Sequence, residues 1–520
     1  MSLLLTGARA LATSGLVTGF RPWYVPGIAR AVWRGGLSPA TLIGVAAAHG
    51  RDAPGVIDDR GTVTYGELDD GAARLAEGLA RECGVPRPNI AILCRNHRGF
   101  VLALAAAGRL GGDVLLLNTE FSGPQLAGVL DRSRPDIVVA DEEFLPRLPN
   151  GAVVSWRDTG ESDVDRLIAA HPPRAVRGGS GAITILTSGT TGTPKGAPRR
   201  PDALAILGPA ATILDRTRLH VGDPVIVAPP LFHGFGLAIL AIAVTLRGPV
   251  VLRRAFDPET TLADIERDGG ALLAAVPVML QRILDLPDGV RAGYRRDHLH
   301  TIFSGAAPLR PELAERLLTE FGDVLFNGYG SSEVGIASVA TPADLRAAPG
   351  TVGRPSLGVP IRILDDQRRP VPTGRPGTIF VGGALLVDGI GKEVADGLMS
   401  TGDLGHLDAA GRLHVDGRAD DMIVSGGENV FPQEVEDLLT RHPAIADAVV
   451  IGAPDPEFGQ RLVAYVVARG DRPDPADLRE YVKSNLARYK VPRSFVFLDE
   501  LPRNPTGKVL RRDLPTDQPD

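Results

Sequence analysis

Apolar and polar positions along the 520-residue chain follow two alternating periods. Between residues 60 and 330, short apolar runs at 90–94, 114–117, 137–140, 182–186, 225–228, 250–252 and 299–303 are separated by stretches with helical spacing. Runs of this length read as buried strands, and their alternation with helices predicts α/β layers with largely parallel sheets. Thr64-Tyr65-Gly66-Glu67 has the form of a capping box, with Leu68, Ala72, Leu75, Ala76 and Leu79 as the apolar stripe of the helix behind it. From about 351 to 416 the pattern becomes short strands with Gly/Pro turns, which predicts a small β-rich subdomain. Residues 417–421 read as a polar link. After it, helices near 432–440 and 475–486 and strands at 448–451 and 462–467 predict a small α+β domain. The expected organisation is an N-terminal arm (1–50), a large domain (51–417) and a small mobile C-terminal domain (418–520).

Hydrophobic content of 44% and charged content of 23% are those of a globular protein, and a net charge of −6 argues against a general nucleic-acid binder. The two cysteines, Cys83 and Cys94, give neither a disulfide framework nor a zinc pattern, which suits a reducing cytosol. The apolar run 237–246 ends at Arg247 and falls short of the ~20 residues a span needs. Residues 1–20 lack the basic start and unbroken apolar stretch of a signal peptide. Residues 1–50 hold four arginines, Arg9, Arg21, Arg30 and Arg34, and no acid. If residues 27–34 are helical, Ile28, Ala31 and Val32 share one side and Arg30 and Arg34 another. That pattern suits peripheral contact with an anionic membrane surface on its cytoplasmic side.

The chemistry is concentrated in a few segments. Thr187-Ser188-Gly189-Thr190-Thr191-Gly192-Thr193-Pro194-Lys195-Gly196 follows an apolar strand. Small residues let its backbone close on an anion, and amides, hydroxyls and one ammonium supply donors to phosphate oxygens. It lacks the Gly-Lys-Ser/Thr ending of a Walker loop. Pro229-Pro230-Leu231-Phe232-His233-Gly234-Phe235-Gly236 joins a strand to an apolar helix, and Ser304-Gly305-Ala306-Ala307-Pro308-Leu309 turns from strand to helix. Further on come Asn327-Gly328-Tyr329-Gly330-Ser331-Ser332-Glu333, Ser400-Thr401-Gly402-Asp403, Ser425-Gly426-Gly427-Glu428-Asn429 and Pro505-Thr506-Gly507-Lys508.

In this order, over roughly residues 60–510, these segments resemble the motifs of the adenylate-forming superfamily, and most closely its fatty-acid ligase type of acyl-CoA synthetase. The resemblance implies that Thr187, Ser188, Gly189, Thr190, Thr191, Gly192 and Lys195 hold ATP phosphates. Gly305 and Ala306 would pass beneath the adenine, Tyr329 would stack on it, and Gly330 and Ser331 would belong to the same nucleotide site. Ser332 would bond the α-phosphate and Glu333 would help hold Mg²⁺. Asp403 and Arg418 would bind the ribose, His233 would line the acyl pocket and Lys508 would be the catalytic lysine. Gly426 would let the pantetheine arm of CoA approach, and Asp420 would be the hinge between two half-reactions. Amino-acid-activating relatives carry Asp where this chain has His233, which disfavours an amino-acid substrate. Two rivals are an acyl-AMP ligase serving a carrier protein, whose extra segment has no room in the short stretch 336–352, and a non-catalytic nucleotide-binding module.

Overall fold

The computed structural model describes residues 3–17, 21–36, 38–173, 178–179, 181–186, 196, 198–199, 203–331, 334–383, 393–418, 422–425, 428–455, 459–505 and 507–515. Residues 187–195, Ser332, Glu333, Asp420 and Gly426 of the sequence reading lie outside them.

Two largely parallel sheets carry the N-terminal part. In one, the strands Pro54–Asp58, Val250–Val251, Val225–Val227, Leu272–Ala275, Thr301–Ser304 and Leu325–Ser331 lie side by side in that order, all parallel. In the other, Val153–Trp156, Ile137–Asp141, Ile90–Leu93, Val114–Leu116 and Ile183–Ile185 are parallel, with Pro198–Arg199 antiparallel at the edge. Strands such as Ile90–Leu93 and Leu272–Ala275 are buried along their whole length because helices cover both faces. The helix Arg98–Leu110 is sheathed from Gly99 to Leu110. Its one charged group inside that run, Arg109, is bonded to Asp69. Ile90, Ile92, Phe100, Ala103, Val225, Val227 and Leu272 share one core that fuses the two sheets.

The capping box forms as expected. The Glu67 amide donates to Thr64 Oγ1 at 3.2 Å and the Thr64 amide to Glu67 Oε2 at 2.8 Å, opening the helix Tyr65–Cys83. The β-rich stretch is present as Thr351–Pro355, Ile361–Leu364, Gly377–Val381, Val394–Ala395, Leu398–Leu407 and Leu413–Arg418. Its strands continue the first sheet through antiparallel pairing of Gly335–Ala340 with Thr351–Pro355.

A separate five-stranded sheet lies beyond residue 421, with Gly459–Ala468 paired to Ile445–Asp455 on one side and parallel to Ser494–Leu498 on the other. It packs on the large sheet's helices. Arg310 bridges to Asp447 at 3.0 Å and donates to the Ala448 carbonyl at 2.7 Å, and Arg441 bridges to Glu312 at 2.6 Å.

The arm differs from its expected pattern. The helix Val25–Gly35 sets Ala31 against Gly44 of the helix Pro39–His49 and leaves Ile28 half-buried, but Val32 faces outward beside Trp33. The helix meets its neighbour on one narrow side only, so the third apolar residue of the run falls on the outer face. Among the described residues, no helix is long and apolar enough to cross a membrane.

Candidate active site

The parallel strands of the large sheet all deliver their C-terminal ends to one edge, where ligands of open α/β sheets bind. Val225–Val227 leads to His233, Leu272–Ala275 to Val276-Pro277, Thr301–Ser304 to Gly305-Ala306, and Leu325–Ser331 contains Tyr329 and Gly330.

Tyr329 and Asp403 meet at this edge, with Tyr329 Oη donating to Asp403 Oδ2 at 2.5 Å. Burial, then the neighbouring carboxylate, pushes the phenol well above its ordinary value, so it stays a neutral donor. The Asp403 amide donates to Thr401 Oγ1 at 3.1 Å, and Thr401 Oγ1 in turn donates to the Ile379 carbonyl at 3.1 Å. Arg418 is the register partner of Asp403 across the antiparallel ladder and places Nη1 3.5 Å from Oδ1. A carboxylate oriented in this way can accept from vicinal hydroxyls. Gly330 lies at a register shift, where a Cβ would fall 1.9 Å from the Gly335 carbonyl oxygen, so only glycine lets the two strands approach. Ser331 closes the same strand.

His233 caps the helix Gly234–Thr245, its carbonyl accepting from the Leu237 amide at 3.0 Å. Its ring lies 4.6 Å from that of Phe232. Burial lowers the imidazole to about 4, so it is neutral at physiological pH. Three buried polar atoms at this edge, His233 Nε2, Ser304 Oγ and Asn327 Oδ1, have no hydrogen-bond partner among the described residues. Ser304 and Asn327 are register neighbours. Buried polar atoms are nearly always satisfied, so orphans gathered at strand ends fit a bound polar ligand. Gly305 lies under Phe235, and Ala306 takes a left-handed φ of 66°, a strained value for a residue with a side chain.

Lys508 is exposed, on a loop whose neighbour Gly507 is buried against Val276 and Val278. The Lys508 amide donates to Asn504 Oδ1 at 2.9 Å, and Arg503 Nη1 donates to the Gly507 carbonyl at 2.5 Å. Arg503 also bonds Asp447 at 2.5 Å, the same carboxylate that Arg310 bridges. An Arg310–Asp447–Arg503 chain thus ties the lysine loop to the segment following the Gly305 turn.

The structure therefore brings His233, Gly305, Ala306, Tyr329, Gly330, Ser331, Asp403, Arg418 and the Lys508 loop to one edge. The sequence reading missed Arg310, Asp447 and Arg503. It also missed Asn96, which holds the His233 loop in place. Asn96 Nδ2 donates to the Val227 and Pro229 carbonyls at 3.3 and 2.9 Å, and its Oδ1 accepts from the Leu231 amide at 2.8 Å. Asn96 stands just beyond a buried strand, its one visible signal.

A small α+β domain beside a large layered α/β unit, with a lysine loop seated at the strand ends, defines a two-domain α/β fold with its candidate site at the strand ends. The family model described as AMP-binding enzyme matches residues 44–390, and that of the AMP-binding enzyme C-terminal domain matches residues 434–508. The chain belongs to this family. It is 33% identical to a feruloyl-CoA synthase of an Amycolatopsis species, over 87% of this chain and 93% of the relative. It is 31% identical to a fatty acid–[acyl-carrier-protein] ligase of Streptomyces coeruleorubidus, over 90% and 94%. The o-succinylbenzoate CoA synthetase of Bacillus subtilis, solved with its acyl-adenylate intermediate, superposes with a TM-score of 0.80 at 29% identity, covering 92% of this chain and 98% of that one.

Proposed function

We propose that this chain is an ATP-dependent, AMP-forming acid–CoA ligase acting on an acid with an apolar body, a medium- or long-chain fatty acid. The observation that carries the reading is the seating of the Lys508 loop at the same strand ends as the Tyr329–Asp403 pair. In the first half-reaction the substrate carboxylate attacks the α-phosphorus of ATP and pyrophosphate leaves. The Lys508 ammonium offsets repulsion between the two anions and the charge that grows on phosphorus. Residues 187–195 and Ser332 would hold the phosphates. Glu333 would hold a magnesium ion that neutralises phosphate charge. Asp403 and Arg418 orient the ribose, with Tyr329 fixing the carboxylate. In the second half-reaction the CoA thiolate attacks the acyl carbon and AMP leaves, which divides one difficult step into two easier ones. Movement about Asp420 would exchange Lys508 for the Gly426 segment between the two.

Neutral His233 supports an acid without an ammonium group, because such a group would find no counter-charge there. A carrier protein as acceptor is the second reading, favoured by the similarity to a carrier-protein ligase. Acids from C2 to C18 plus aromatic acids, ranked by kcat/KM with CoA, test the acid. A peak at medium or long chains is expected, and a peak at aromatic acids would replace the fatty-acid reading.

The arm supports peripheral contact with an anionic membrane. Trp23, Val25, Val32 and Trp33 are exposed there, beside Arg21 and Arg30. Co-sedimentation with anionic vesicles at low salt, lost on deleting residues 1–36, is the expected result. Binding that the deletion leaves unchanged would refute it.

A further inference from the structure

The edge of the large sheet opposite the candidate active site carries a second cluster. His220 and Asp223 lie in the turn before Val225–Val227, and His300 lies just before Thr301–Ser304. Both strands are parallel to Leu272–Ala275 between them, so the three residues meet at the N-terminal ends of the strands. Asp223 Oδ2 is 3.3 Å from His300 Nε2 and 3.9 Å from His220 Nδ1, and the three ligand atoms all lie within 4.8 Å of one another.

We propose that His220, Asp223 and His300 form a zinc-binding site. Two imidazoles and a carboxylate match the nitrogen and oxygen donors zinc takes, with water as a fourth ligand. A tetrahedral ion with bonds of about 2.0–2.1 Å has ligand–ligand edges of roughly 3.3 Å. The 3.3 Å edge already has that length, and the 3.9 Å edge closes with a small rotation of the exposed His220 ring.

The supporting bonds prepare the ligands. His300 Nδ1 lies 3.2 Å from the hydroxyl of buried Thr301, which acts as partner to the ring nitrogen that faces away from the ion. The His220 amide donates to Asp223 Oδ2 at 2.7 Å and steadies the carboxylate. The turn itself is fixed, with the Val221 amide bonded to the Ser14 carbonyl and the Gly222 amide to the Leu246 carbonyl, each at 2.8 Å. No arginine or lysine bridges Asp223 among the described residues, whereas the buried carboxylates Asp58 and Asp264 each hold an arginine. Side-chain exposures of 60% for His220, 28% for His300 and 21% for Asp223 leave the ion a way in from solvent.

A second group of metal-ligating side chains, Cys94, His97 and Asp141, makes a useful contrast. There, His97 Nδ1 accepts from the Gly99 amide at 3.0 Å, so Nε2 carries the proton bonded to Asp141 at 2.8 Å. Both ring nitrogens are spent and all three residues are buried, so an ion would find neither a free imidazole lone pair nor a way in from solvent. The surface trio is instead open to solvent, and its 3.3 Å His300–Asp223 and 3.9 Å His220–Asp223 contacts are looser than the 2.8 Å His97–Asp141 bond. Zinc bound there would clamp the turn before one strand to the start of another and stabilise the large domain without touching the chemistry.

The test uses the full-length, tag-free protein titrated with zinc chloride and, in parallel, magnesium chloride. One zinc per chain should remain after dialysis, and saturating zinc should raise the unfolding temperature by several degrees while magnesium does not. His220→Ala and His300→Gln should each weaken zinc affinity at least tenfold, with the zinc-free unfolding temperature of His220→Ala unchanged because that ring is exposed. Failure to retain zinc overturns the proposal. So does equal affinity in wild type and the His220→Ala/His300→Gln double variant, which would place the ion elsewhere, such as beside His406 and His414.

Discussion

Gly507→Ala isolates the docking of the lysine loop. Gly507 has φ +78°, and a Cβ there would lie 2.7 Å from Val278 Cγ1 and 3.5 Å from Val276 Cγ2. The left-handed backbone costs an alanine about 1–2 kcal/mol wherever the loop sits. The clash arises only when the loop is docked, and relieving it costs about 1–3 kcal/mol, the usual range for overpacking. Only this second cost separates the two half-reactions. Acyl-adenylate formation, read as pyrophosphate release, should therefore fall roughly 5- to 150-fold. Thioester formation from supplied acyl-AMP should stay close to wild type. Val278→Ala removes the atom at 2.7 Å, so the Gly507→Ala/Val278→Ala double variant should recover most of the lost adenylation. Equal loss in both half-reactions, or a double variant no better than Gly507→Ala alone, would refute the reasoning.

Lys508→Ala should abolish pyrophosphate release while thioester formation from acyl-AMP largely survives, and parallel loss of both would contradict its phosphoryl role. Tyr329→Phe deletes a hydrogen bond to a carboxylate, worth ~1.5–3 kcal/mol. It should raise KM for ATP roughly tenfold or more, and an unchanged KM would count against Asp403 as the ribose ligand. His233 titrates at about 4 in the fold against an ordinary 6.5. As pH falls, the unfolded chain therefore takes up the proton first. Its contribution to stability is complete above about pH 6.5 and is lost as pH falls toward 4, amounting to about 3 kcal/mol at most. His233→Leu should flatten the fall in unfolding temperature between pH 7 and 5, and a slope matching wild type would show that burial does not hold the ring neutral.

Strands were legible where burial is two-sided, because runs such as Ile90–Leu93 and Leu272–Ala275 need no polar face. Motif residues were legible because glycines, hydroxyls and charges follow in a fixed order. Supports that act across the chain were not. Asn96 reaches Val227 and Pro229, and Asp447 joins Arg310 to Arg503. No local pattern marks such residues, since their partners meet only after the sheets assemble. Val32 illustrates the same limit, because helical spacing gives the angle between faces and packing decides which face is inside.

The central claim is best tested by product balance in one reaction of the full chain with MgATP, CoA and the acid preferred in the kcat/KM series. AMP, pyrophosphate and acyl-CoA thioester formed in equal amounts, with no thioester when either ATP or CoA is omitted, is the predicted result. Release of ADP, or acyl-AMP that accumulates and is never passed to CoA, would contradict it.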